Sequence, residues 1–225
     1  MNRYKDQEIE SLFGKVFQLG AMAERAMRDA IWALSNQDRD IARKLMDGDD
    51  AVDALALEIN TVSFQLIARY QPVAFDLRAL EACIRMALDL ERIADLAASV
   101  ARVTLDLDPR VIPFKNVQPM GERVIDMLNT AMTSLTKRDI SLAETIFVMD
   151  DAVDDLEDIA FIEMMETIIQ NPSLAGGGKL ITVPRLLERA GDHVTNIAEQ
   201  ICYMLVGRRV KSTEYRRPKP EPGVR

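Results

Sequence analysis

Leu45, Val52, Ile59 and Leu66 fall every seven residues, the spacing of an apolar stripe along one side of a helix. Taken with the polar and proline breaks between apolar stretches, the pattern predicts six long helices. The first covers residues 8–36. A polar turn, Asn36-Gln37-Asp38, follows it, and Asp38 is an N-cap candidate for a second helix that continues to Tyr70. Pro72 stops that helix, because proline disfavours the helical conformation in the residue before it. The third helix spans 74–103 and the fourth 117–137. Asp139 caps the fifth, which lasts until Asn171-Pro172. A loop, Ser173-Leu174-Ala175-Gly176-Gly177-Gly178, precedes the sixth helix at 180–207, with Gly207 as its C-cap.

The helical pattern occurs twice. DDAVDAL begins at Asp49 and DDAVDDL at Asp150, an offset of 101 residues. The same offset pairs Ala30 with Ala131, Leu34 with Leu135, Asp38 with Asp139 and Ala42 with Ala143. A second motif follows in each half, LERIAD from Leu90 and LERAGD from Leu187, at an offset of 97. Two ordered motifs in two copies identify a tandem repeat. Residues 1–107 form the first unit, 108–207 the second, and the linker around Asp106-Leu107-Asp108-Pro109-Arg110 is short. Long helices joined by short turns pack as antiparallel bundles. The expected fold is therefore all-α: two antiparallel three-helix bundles related by a pseudo-twofold.

Composition agrees. Apolar residues make up 48% of the chain and aromatic ones only 5%, a helix former's mix and a poor one for sheets. The net charge is -8, and it is unevenly spread. Residues 208–225 carry seven basic and two acidic side chains, which leaves -13 on the body. An acidic body argues against nucleic acid as a partner, since phosphate binding needs clustered Lys and Arg. The tail holds Pro218, Pro220 and Pro222 among its charges and is expected to be disordered. Cys83 and Cys202 lie in apolar helical patterns and read as buried thiols rather than a disulfide. No signal peptide is visible and no run reaches the roughly 20 apolar residues of a membrane span. The expectation is a soluble, cytoplasmic protein.

The candidate chemistry is in carboxylate pairs. Asp49 and Asp53, Glu91 and Asp95, Asp150 and Asp154, and Glu188 and Asp192 are each spaced i, i+4, one turn apart on one helix face. Glu91 lies within about 20° of the Leu80 and Ile84 stripe at 100° per residue, and Asp49 and Asp53 flank the stripe of the second helix. Carboxylates beside a helix seam need a partner. The second and third helices of each unit would bring four of them together around one cation. Oxygen donors suit hard cations such as Mg, Mn or Ca, or oxidised iron. Arg92 and Arg189 follow the Glu in both copies and offer the competing reading, ordinary ion pairing. His193, the single histidine, is one residue off the carboxylate face, with Leu96 at the corresponding position; it reads as a surface or supporting residue. Gly176-Gly177-Gly178-Lys179 lacks the spacing of a phosphate-binding loop and reads as a turn. No nucleophile–base set can be assembled, and the twelve Met residues read as core filler.

The stretches DLRALEACIRMALDLERIADLA and RLLERAGDHVTNIAEQI, with a DxxxD motif on the preceding helix of each repeat, resemble the PhoU family over about residues 5–207. The resemblance implies a non-enzymatic negative regulator of phosphate uptake and of the phosphate-starvation response. It implies two partners, the ATPase of the phosphate ABC transporter and a membrane sensor histidine kinase, and a homodimer. It also implies metal ions (Mg, Mn, Fe or Zn) at Asp49, Asp53, Glu91, Asp95, Asp150, Asp154, Glu188 and Asp192, with no organic cofactor. The family's glycine before the last Asp is Gly191 in the second unit but Ala94 in the first, so the second site is the better match. A metal-dependent phosphohydrolase and a metal-binding scaffold are the alternatives.

Overall fold

The computed structural model describes residues 3–107, 115–170, 179–210 and 214–215. These residues hold seven α-helices: α1 Arg3–Asn36, α2 Arg39–Asp47, α3 Asp49–Tyr70, α4 Ala74–Asp106, α5 Val117–Lys137, α6 Ile140–Gln170 and α7 Thr182–Val206. The helix expected between Asp38 and Tyr70 is thus two helices. It breaks at Gly48, where φ is -92° and ψ is 0°, outside the helical basin. Its counterpart in the second repeat carries Met149 at the matching position and runs through as α6. Glycine loses the most entropy on entering a helix, and it marks where the two copies diverge.

The turns between the first two helices of each unit are the same turn. Gln37 and Arg138 both adopt the left-handed conformation, with φ of 53° and 52°. The next residue closes it: the Asp38 N–H donates to the Ala33 carbonyl at 2.8 Å, and the Asp139 N–H to the Ser134 carbonyl at 3.0 Å. Each aspartate then caps the helix that follows. Asp38 Oδ1 accepts from the N–H groups of Asp40 and Ile41 at 3.0 and 2.9 Å. Asp139 Oδ1 accepts from the Ser141 N–H at 3.0 Å. Such caps satisfy donors that the first helical turn leaves open.

Helices α1, α4, α5 and α7 form the centre of the molecule, with α1 against α4 and α5, and α7 against α4 and α5. Outside them, α3 covers α1 and α4, and α6 covers α5 and α7. The two units share one continuous core, which runs from Leu12, Leu19 and Met27 through Met86, Leu90 and Ile93 to Met120, Met127 and Phe147. A small satellite of Ala33, Ala42 and Ala101 seats α2. Helix α3 lies in the one described stretch, Arg39–Tyr70, whose length and hydropathy would allow a membrane crossing. Its Val52, Leu55, Ala56, Ile59 and Leu66 are buried in the shared core, so it is the outer layer of a bundle.

The chain beyond α7 is anchored where it is described. Gly207, at φ 72°, ends α7 as its C-cap. Val210 is buried. The Tyr215 hydroxyl donates to Glu144 Oε1 at 2.9 Å, and its ring stands 5.3 Å from that of Phe147. These residues belong to the stretch expected to be a disordered tail from residue 208. Residues 211–213 and 216–225 lie outside the described ones, as do the loop at 171–178 and most of the linker at 108–114.

The closeness of α1 and α5 can be tested. A Cβ built on Gly121 would come within 2.5 Å of two side-chain carbons of Ile31. Gly121→Ala should therefore lower stability by about 1–3 kcal/mol through overpacking. Gly14, also inside a helix, has no atom within 4 Å of such a Cβ, and Gly14→Ala should raise stability by about 0.5–1 kcal/mol. Urea unfolding of both variants checks the opposite signs.

Candidate functional site

The carboxylate motifs stand on the outer and central helices of each unit: α3 and α4 in the first, α6 and α7 in the second. In the second unit Asp150 is buried, at 1% exposure, in the middle of α6. Asp154, Glu188 and Asp192 are half-buried. Burial pushes the Glu188 carboxyl above its ordinary 4.5, and the negative charges of Asp192, Glu157 and Asp154 push it further, against a smaller opposing pull from Arg185. Gly191 makes room for this arrangement. A Cβ there would lie 3.0 Å from Asp150 Oδ1 and 3.6 Å from Val153 Cγ1, so the missing side chain lets α7 approach that carboxylate.

Glu157 belongs to this group, although it lies outside the repeated motif. The signal that finds it is spacing. Asp150, Asp154 and Glu157 are i, i+4 and i+7 on α6, which is one helix face.

The first unit is built differently. Asp49 opens α3 immediately after the break at Gly48, whereas its counterpart Asp150 is mid-helix; the Asp49 side chain is outside the described groups. Asp53 is exposed. Glu91 and Asp95 are half-buried, and Arg92 Nη1 donates to Asp95 Oδ2 at 2.9 Å. The counterpart of Glu157 is Ala56, buried at 4% exposure, and Ala94 stands where the second unit has Gly191. The first unit therefore has fewer carboxylates on its seam, and one of them is held by arginine.

Among the described residues, no three carboxylate, imidazole or thiol side chains are gathered into a cage for an ion. The second unit nevertheless fits a hard cation chemically. Its donors are all oxygens, its Glu188 carboxylate is disfavoured by burial and by neighbouring anions, and Gly191 lets α7 approach the Asp150 carboxylate.

His193 has a different role from ligation. Its Nδ1 is 2.9 Å from Asp89 Oδ1, and Asn196 Nδ2 donates to the same oxygen at 3.3 Å. Asp89 is on α4 and His193 on α7, so the one histidine of the chain ties the two repeats together. No local motif signals this pair, because its members are 104 residues apart. The thiols are buried and free. Burial pushes Cys83 up to about 12. Burial, helped by Glu144 and Glu199, pushes Cys202 up to about 11, so both are protonated at neutral pH and poorly reactive.

Two measurements follow from this geometry. A double-mutant cycle of Asp89→Ala and His193→Ala should give a coupling of about 1 kcal/mol by urea unfolding, the usual size for a part-buried hydrogen bond. Glu188 is the carboxylate of this seam whose proton affinity burial raises. Its folded-state proton affinity exceeds the unfolded one, so the native state binds more protons and stability falls as pH rises above 4.5. Glu188→Gln should raise the unfolding midpoint at pH 7, leave it nearly unchanged at pH 4, and flatten the slope between them.

The PhoU domain family matches residues 16–104 and 117–201. The phosphate-specific transport system accessory protein PhoU homolog of Caulobacter vibrioides (strain NA1000 / CB15N) is 32% identical over 217 residues, 95% of this chain and 93% of that one. PhoU homolog 1 of Thermotoga maritima is 30% identical over 210 residues, 92% and 90% of the two chains. The crystal structure of PhoU from Pseudomonas aeruginosa superposes with a TM-score of 0.84 at 29% identity, covering 90% of this chain and 99% of that one. That of the phosphate transport system regulatory protein PhoU from Streptococcus pneumoniae gives 0.87 at 24% identity and shares the fold. With two matched domain copies and relatives aligned over almost the whole length, this chain belongs to the PhoU family.

Proposed function

We propose that this protein is a cytoplasmic accessory regulator of phosphate-specific transport, which restrains uptake and the phosphate-starvation response by binding other proteins. The observation that carries this reading is the match of both repeats to the PhoU domain, joined to relatives that are named as accessory proteins of the phosphate-specific transport system. The partners in this reading are the ATPase of the phosphate transporter and its sensor histidine kinase, with a second copy of the chain completing a homodimer. No step of turnover is assigned to it.

Asp150, Asp154, Glu188 and Asp192, with Glu157 beside them, would hold a hard cation between α6 and α7. Such an ion, when bound, supplies positive charge that offsets the mutual repulsion of these groups. Asp150 is the fixed member, buried and packed beside Gly191. With such an ion in place, the Glu188 carboxylate would be stabilised against the burial and neighbouring anions that raise its proton affinity. The corresponding set in the first repeat, Asp49, Asp53, Glu91 and Asp95, is the weaker candidate, because Asp53 is exposed and Ala56 stands where the second repeat has Glu157.

Two experiments test the proposal. Affinity capture with the purified chain should retain the transporter ATPase in a phosphate-dependent manner; equal capture at high and low phosphate, or none, sinks the regulatory reading. Metal analysis of protein from its native host should show at least one bound ion per chain, lost in the Asp150→Ala/Asp192→Ala double mutant. A metal-free wild type with the mutant unchanged in fold would end the metal assignment while leaving the regulatory one to the capture result.

A further inference from the structure

Helix α6 is unusual in two respects at once. Its 31 residues carry nine Asp and Glu and no Lys or Arg. Its C-terminal half also leaves large apolar side chains in solvent: Ile159, Phe161, Ile162, Met165 and Ile169 are between 42% and 72% exposed. Ile162 is i+3 from Ile159, i-3 from Met165 and i-7 from Ile169, so these four form one stripe. Asp155, Asp158 and Glu166, all exposed, are seven, four and four residues from Ile162 and flank it. Single exposed apolar residues are ordinary, but a contiguous patch marks an interaction site.

The charge selects the occupant. A second copy docked through this face would set the exposed Asp155, Asp158 and Glu166 against the same three carboxylates, with no basic residue on either α6, a repulsive arrangement. An anionic lipid surface is repelled in the same way. The chain's own basic tail offers Val224 as its one apolar side chain beyond residue 215 apart from Pro218, Pro220 and Pro222, too few to fill such a stripe. What complements an apolar stripe edged by acid is a helix with an apolar stripe edged by Lys and Arg.

We propose that the outer face of α6 around Ile162 is a docking surface for a basic amphipathic helix of a partner protein. The inference deepens the regulatory reading, from which it takes only the existence of a protein partner. The equivalent outer face of α3 exposes Leu57 and Phe64, with Arg69 in its last turn, and lacks both the density of apolar groups and the uninterrupted acid.

The test uses the full chain and a fluorescein-labelled, 18-residue Leu/Lys amphipathic helix, followed by fluorescence anisotropy. A peptide of the same composition in scrambled order is the comparison. The ordered peptide should bind at least tenfold more tightly, and more weakly as salt increases. Ile162→Ser/Ile169→Ser should weaken binding about tenfold or more, and Asp158→Lys/Glu166→Lys should do the same while removing the salt dependence. These positions are exposed, so circular dichroism and unfolding midpoints should match the wild type. Equal binding of the scrambled peptide, unchanged binding by both α6 variants, or an equal loss from Leu57→Ser/Phe64→Ser overturns the proposal. So does a dimer that Ile162→Ser/Ile169→Ser dissolves, or binding to phosphatidylglycerol vesicles in place of peptide. Capture of the transporter ATPase, run on the same variants, separates the two readings. If the α6 variants bind neither less peptide nor less ATPase, the surface falls and the regulator stands. If the wild type captures no ATPase, the regulator falls and the peptide titration still decides the surface.

Discussion

Burial of the inner faces of α1, α4, α5 and α7 in one shared core is the interaction on which the rest of the molecule depends. Neither three-helix unit closes its apolar surface alone. The central helices of one repeat lie on those of the other, and small residues set how closely they approach. Gly121 against Ile31 brings α5 onto α1, and Ala79, Ala82, Ala87, Ala97 and Ala101 are all buried along α4. Removing that surface from water is the dominant favourable term, and it fixes the two repeats as a single body. The polar links across the seam, Asp89 to His193 and Arg78 Nε to the Met204 carbonyl at 3.3 Å, add orientation to an association that burial already drives.

Once the centre is packed, α3 and α6 become outer layers, each covered on one side. This explains the placement of the carboxylates. Groups facing inward on α6 are brought against α7, and burial makes their repulsion costly, which shows in the raised proton affinity of Glu188. Groups facing outward on the same helix share the surface with exposed apolar residues. One acidic helix thus presents two chemically distinct faces: a cation-fitting seam within the repeat and a cation-seeking, apolar surface outside it.

The two repeats have diverged within a common frame. The turn at Gln37-Asp38 and the turn at Arg138-Asp139 keep the same backbone geometry and the same cap, although only the aspartate is shared. The outer layer has changed more. Gly48 breaks it in the first repeat, Met149 lets it run on in the second, and Glu157 replaces Ala56 on its inner face. The second repeat is in consequence the richer in seam carboxylates.

The helical class, the repeat, the caps at Asp38, Asp139 and Gly207 and the carboxylate pairs were legible in the sequence. Each depends on residues within one helix or one turn, where spacing dictates direction. The break at Gly48 was not, because a lone glycine inside a helical pattern costs only about 1 kcal/mol and packing decides whether the helix bends there. The clustering of Glu157 with Glu188, the engagement of Asp95 by Arg92, the pairing of His193 with Asp89 and the return of Tyr215 onto Phe147 were decided by tertiary structure. Three of these four join residues far apart in the chain, and the fourth, Arg92 with Asp95, is a choice among rotamers on one turn. A helical sequence fixes which side chains share a face. The neighbouring helix that a face meets, and the charges that meet it there, follow from how the whole chain buries its apolar surface.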